Sequence, residues 1–211
     1  MWTPSNRVFG GLTALGGLCT LVATLPARWL GPRPTDSYVF DPPRFGALWF
    51  ERTVAPAVAV AAALLILVGL LALFRRDRER MARWQRWFAV VAVVGVAVGT
   101  LATMLVVSAG PGGTADPTVA LNVLLGVGLG LLGLLLALPG LVAWGVGHLR
   151  SGRRRLGAAL AGGPVVTLTV LVANVGAGVS FDGVGGLPIT LPVALAVGVV
   201  GYDLWDRAGA T

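Results

Sequence analysis

His148 is the single histidine of this chain, Cys19 its single cysteine, and none of the 16 basic residues is lysine. A bis-histidine haem, an H-E-x-x-H zinc site, a C-x-x-C redox pair and an internal disulfide each need at least two such side chains, so all four are excluded. Without lysine there is no Schiff base with retinal or pyridoxal phosphate, and no phosphate-gripping P-loop lysine. The chain also lacks a G-x-S-x-G elbow, paired carboxylates and a metal-ligand cluster. The sequence thus offers no catalytic residue, no metal site and no cofactor site, and an intramembrane enzyme ranks below the non-enzymatic readings. His148, between an aromatic stretch and an arginine cluster, is expected at the membrane interface. Cys19, among Gly and Leu, is expected to pack as a small hydrophobe.

What remains is a thin set of polar groups inside apolar stretches. Thr100, Ser108, Asn122, Thr167 and Asn174 would line a polar pocket if the spans bring them together. Each Asn amide carries two donors and an acceptor that lipid cannot satisfy. The competing expectation is packing: Thr and Ser return their hydroxyls to a carbonyl one turn back, and Asn bonds across helices.

A second constellation lies in the polar connections. Asp41, Asp116 and Asp182 each fall in a different connection on one side, and Arg28, Arg33, Arg44 and Arg52 all lie in the first of these. Residues 28–53 are expected to form an extracytoplasmic segment, with Asp41 before Pro42-Pro43 capping a short surface helix. Folded back over the helices, it would act as an outer lid and pair an Arg with Asp116 or Asp182. Lying flat, it would be an amphipathic helix on the membrane surface.

The elements that must position these residues are helices in a bilayer. Of the 211 residues, 56% are apolar and 12% charged, at a mean hydropathy of +0.84, too few polar side chains to clothe a soluble surface. Apolar runs at about 8–27, 54–74, 87–109, 118–139, 156–179 and 187–205 each suffice to cross about 30 Å of hydrocarbon. Runs such as Ala57 to Leu73 are apolar on every side, unlike barrel strands, which alternate. The expected fold is an all-α integral membrane protein, a single six-transmembrane-helix bundle. Pro139-Gly140 is expected to end the fourth span and leave Leu141 to Leu149 as an interfacial segment. Met1 to Arg7 and the apolar run behind it also resemble a signal peptide, but Thr24-Leu25-Pro26 is not an A-x-A site. Cleavage there would leave five spans.

The charge of +7 follows the spans rather than a soluble basic face. RRDRERMARWQR follows the second span, and Arg150, Arg153, Arg154 and Arg155 follow the fourth. The side bearing these clusters totals 12 Arg against four acids, the other four Arg against five acids. This predicts a multi-pass protein of the cell membrane with both termini cytoplasmic, and it accounts for the charge without nucleic acid. All seven Trp fall at span ends or in connections, as in an aromatic belt. The lysine-free, Arg- and Gly-rich usage is similar to that of small membrane proteins of GC-rich prokaryotes.

In lipid, helices associate through close backbone contact at small residues. Ala92, Gly95 and Gly99 mark such a stripe on the third span, Gly126, Gly130, Gly133 and Ala137 on the fourth, and Ala194, Gly198 and Gly201 on the sixth. Thr100 to Asp116 and Thr167 to Asp182 echo one another, which suggests duplicated helical hairpins. The leading functional expectation is a non-enzymatic accessory or scaffold subunit whose partners are the bilayer and another membrane protein. The alternative is a small-solute permease or channel.

Overall fold

The computed structural model describes residues 3–25, 49–109, 117–176 and 187–206, and every element in them is helical. Six helices follow in order: α1 (Thr3–Ala23), α2 (Ala55–Asp77), α3 (Arg83–Ser108), α4 (Pro117–Arg150), α5 (Arg154–Gly176) and α6 (Leu187–Asp206). Four stretches are long and apolar enough to cross a bilayer, namely Phe50–Asp77, Arg83–Ser108, Pro117–Arg150 and Arg154–Ala173, and Arg7–Ala23 is a shorter apolar one. The chain is an all-helical membrane protein. Each helix packs on the next in sequence, α6 returns against α1, and α2 also touches α6.

The α3–α4 pair is the most extensive contact, and a seven-residue repeat sets its register. Gly126, Gly133, Gly140 and Gly147 are all buried on α4. A Cβ on Gly126 would sit 2.6 Å from the Val106 side chain, on Gly133 2.7 Å from the Gly99 nitrogen, and on Gly140 2.6 Å from the Ala92 nitrogen. A Cβ on Gly147 would strike the Gln85 amide. Positions 85, 92, 99 and 106 of α3 therefore meet 147, 140, 133 and 126 of α4, two helical turns per step in opposite directions. A 3.5-residue repeat keeps both stripes facing along their whole length.

This register explains why α4 does not stop at Pro139. The expected break is absent, and the helix runs 34 residues with the proline inside it. Pro139 is exposed while Gly140 packs on the backbone of Ala92, so the pyrrolidine ring lies on the side away from that contact. Packing on both sides of the lost hydrogen bond holds the helix together. Pro56 perturbs its helix more visibly. A π-helical turn, Phe50–Val54, precedes α2, and the Ala55 N–H donates to the Phe50 carbonyl five residues back. Pro56 cannot donate to the carbonyl of Arg52, and the wider turn makes room for its ring.

The largest buried cluster gathers at the Arg-rich end: Leu70, Leu73, Met81, Trp144, Leu156, Leu160 and Leu204 with smaller neighbours. Trp144 is wholly buried, not part of an interfacial belt, because α4 continues past Pro139 and carries it between α2 and α5. Trp49, Trp84, Trp87 and Trp205 are exposed.

Candidate functional site

α2 carries its apolar stripe past the point where hydropathy ends. Leu70, Leu73 and Asp77 repeat at helical spacing, and Asp77 is 2% exposed on the face that buries the two leucines. A carboxylate there must be compensated. Arg76 Nε donates to Asp77 Oδ1 at 3.0 Å, and Arg153 Nη1 donates to Oδ2 at 2.5 Å. Arg76 also spans to α6, donating to Asp203 Oδ2 at 2.7 Å and to the Asp203 carbonyl at 3.3 Å. Among the described residues, two carboxylates and two guanidiniums thus form a cluster that joins α2, α6 and the start of α5.

The α4–α5 turn aims Arg153. Gly152 takes a positive φ of 84°, its N–H donates to the Leu149 carbonyl at 3.1 Å, and the Arg153 N–H donates to the His148 carbonyl at 2.9 Å. These two bonds form a Schellman cap, which ends α4 and throws the chain back on itself. Ser151 Oγ donates to the same His148 carbonyl at 2.9 Å.

His148, expected at the membrane interface, is buried within the helix packing at the Arg-rich end. It is 2% exposed, one turn beyond Trp144, with its ring centroid 6.1 Å from that indole and Nε2 3.8 Å from Asp77 Oδ2. The longer α4 carries it inward. Neither His148 Nε2 nor Trp144 Nε1 has a hydrogen-bond partner among the described residues. Phe74 meets Trp144 edge to face at 6.5 Å, and Gln85 Nε2 donates to the Trp144 carbonyl at 3.4 Å. The guanidiniums occupy the Asp77 oxygens that a cation would need, so the arrangement works as a tie between helices. No group of three His, Cys, Asp or Glu among the described residues could hold a metal ion.

Among the described side chains, the residues expected to line a polar pocket fall on three helices. Thr100 is buried on α3 and donates to the Val96 carbonyl at 2.8 Å, while Ser108 is exposed and donates to the Leu105 carbonyl at 2.8 Å. Asn122 is half-buried on α4, and Thr167 on α5 has a buried hydroxyl without a partner among the described residues. Asn174 belongs to α5, but its side chain lies outside the described residues. So do Arg28, Arg33, Asp41, Arg44, Asp116 and Asp182, the proposed lid and its pairs.

Of the packing glycines, Gly95, Gly126 and Gly133 have no room for a side chain, and Gly95 lies against Ala137. Gly99 has open space at its own Cβ position although its nitrogen limits Gly133. Gly130 would meet only the Ala102 methyl at 3.7 Å, an ordinary contact. Gly198 has open space at its own Cβ position, while Gly201 of the same stripe faces Gly10 and Ala14 of α1.

Sequence reasoning treated Asp77, Arg76 and Arg153 as loop charges because hydropathy windows close where arginines begin. The period of Leu70, Leu73 and Asp77 was the signal that places the acid on a buried face. No known protein family matches the chain, and neither does any curated protein or solved structure.

Proposed function

We propose that this chain is a six-span protein of the cell membrane, with both termini and the Arg-rich turns in the cytoplasm, acting as a non-enzymatic accessory or scaffold subunit. One observation carries this reading: most of the hydroxyls and the one buried carboxylate within the described helices are bonded by the protein itself. Thr13, Thr20, Thr100, Thr103 and Thr169 return their hydroxyls to carbonyls four residues back, and Asp77 is tied by two arginines. Hydroxyls so engaged have spent their donors on their own helix, and Asp77 with its arginines ties helices together, which favours a packed bundle over a path lined for solutes. Opposite its glycine stripe, α4 presents Leu124, Leu131 and Leu135, at 69%, 62% and 69% exposure, as a lateral face for lipid or a partner helix. The echo between Thr100 to Asp116 and Thr167 to Asp182 is consistent with hairpins that arose by duplication.

Extraction in mild detergent followed by affinity purification tests this reading: a membrane protein partner should co-purify at fixed stoichiometry. A second reading, a permease for small neutral solutes, draws support from the unpartnered Thr167 hydroxyl. Solute flux through liposomes containing the protein alone would select it.

A further inference from the structure

The outward side of α6 forms the floor of a groove of about 830 Å³, walled by α1 and α5. Its volume falls in the range of about 300–1,000 Å³ that suits small-molecule ligands. The lining is almost wholly apolar and built of small residues, with Gly162 of α5 and Gly198 of α6 both having open space where a side chain would project. From Arg155 to Val166, both on its wall, the groove follows eleven residue steps of α5. At about 1.5 Å per step this is roughly 16 Å, close to half of a 30 Å hydrocarbon core. The groove therefore has the depth of one leaflet.

Its two polar residues sit at one end. Arg155, at the start of α5, and Tyr202, in the last turns of α6, both line the groove and are both exposed. Arg154, the preceding residue in the chain, is exposed as well, and like Asp206 it lies outside the lining. Of the acids on that end of α6, Asp203 is held by Arg76, and Asp206 is not part of the lining. A basic mouth over an apolar trough one leaflet deep matches a phospholipid with an anionic head group. A second copy of this chain fits poorly, since a two-fold contact through this face would bring Arg154 and Arg155 of both copies together.

We infer that this groove is a binding site for one anionic phospholipid, its acyl chain along α6 and its phosphate at Arg155 and the Tyr202 hydroxyl. The site does not depend on whether the protein is a scaffold or a permease, and its test in detergent does not depend on orientation in the membrane.

The test mixes the purified full chain in detergent with dioleoylphosphatidylglycerol or dioleoylphosphatidylcholine and counts retained lipid by native mass spectrometry. The parent should retain one phosphatidylglycerol with roughly fivefold preference over phosphatidylcholine, the effect expected of one arginine at a membrane surface. Arg155→Gln should abolish the preference while phosphatidylcholine retention stays unchanged. Gly162→Leu fills the groove without meeting another atom at its Cβ, and it should lose both lipids. Gly198→Leu repeats the test from the floor if the first variant is poorly folded. Gly128→Leu, equally unobstructed but on α4 outside the groove, should bind as the parent does. The proposal is overturned if the groove variants keep phosphatidylglycerol, if Gly128→Leu loses it equally, or if Arg155→Gln keeps the preference. It is also overturned if the parent is a dimer that Gly162→Leu makes monomeric, which would assign the groove to a second copy.

Discussion

Arg153 places its guanidinium 2.5 Å from the carboxylate of Asp77, a residue 76 positions earlier in the chain. The contact joins the end of α2 to the turn that opens α5, with α4 and its buried Trp144 and His148 in between. Asp77 thus holds two arginines that would otherwise repel each other, and Arg76 passes the connection on to α6.

Removing the Asp77 charge should therefore matter more than removing that of Asp203. Asp77→Asn leaves two guanidiniums, each only 16–17% exposed, with one carboxylate fewer and should destabilise by about 3 kcal/mol, the low end for a broken buried pair. Asp203→Asn leaves Arg76 its bond to Asp77 and should have an effect of about 1 kcal/mol. Unfolding midpoints in detergent for the two variants would check the order.

Gly152 holds a left-handed backbone that an L side chain adopts at a penalty. Gly152→Ala should destabilise by about 1–2 kcal/mol, although its Cβ would meet nothing. A double variant with Asp77→Asn should be less than additive, because the strained turn matters most for aiming Arg153 at Asp77. Four unfolding curves give the coupling.

On α4 the glycines divide by register. Gly133→Ala sets a methyl group against the backbone of Gly95 and Gly99 and should destabilise by about 1–3 kcal/mol. Gly130→Ala should instead be neutral or stabilising by up to about 1 kcal/mol, since the methyl has room and alanine is the better helix former. Equal losses at both sites would contradict the heptad register.

Orientation is open to direct labelling. With Cys19 replaced by Ser, single cysteines at Ser151 and Gly113 should react with a membrane-impermeant maleimide from opposite sides, Ser151 from the cytoplasm. Reaction of both in intact cells would invert or break the proposed topology.

Helical class and membrane environment were legible because long runs such as Ala57 to Leu73 have no other stable form in lipid. The α3–α4 seam was half legible. Gly126 and Gly133 were visible as a stripe, but its continuation through Gly140 and Gly147 was hidden by taking Pro139 as a terminator, a rule that packing overrides here. The ionic cluster was illegible for a different reason. Arg76, Asp77, Arg153 and Asp203 lie on three stretches of chain, and their pairing depends on how the helices close up, which local sequence does not encode.

The fit between α1 and α6 carries a consequence for biosynthesis. Gly10 and Gly201 approach so closely that a Cβ on either would lie 2.7 Å from the carbonyl oxygen of the other. α1 emerges from the ribosome before the other described helices and α6 after them, so this seat stays empty while the four described helices between them are made. Until α6 arrives, the main packing of α1 among the described helices is its contact with α2, a face closed by Thr13 against Gly69. Ribosome-bound chains stalled before residue 187 should therefore expose the α1 glycine face that α6 covers in the folded chain, with greater reactivity of a cysteine placed at Gly10 as the measurement.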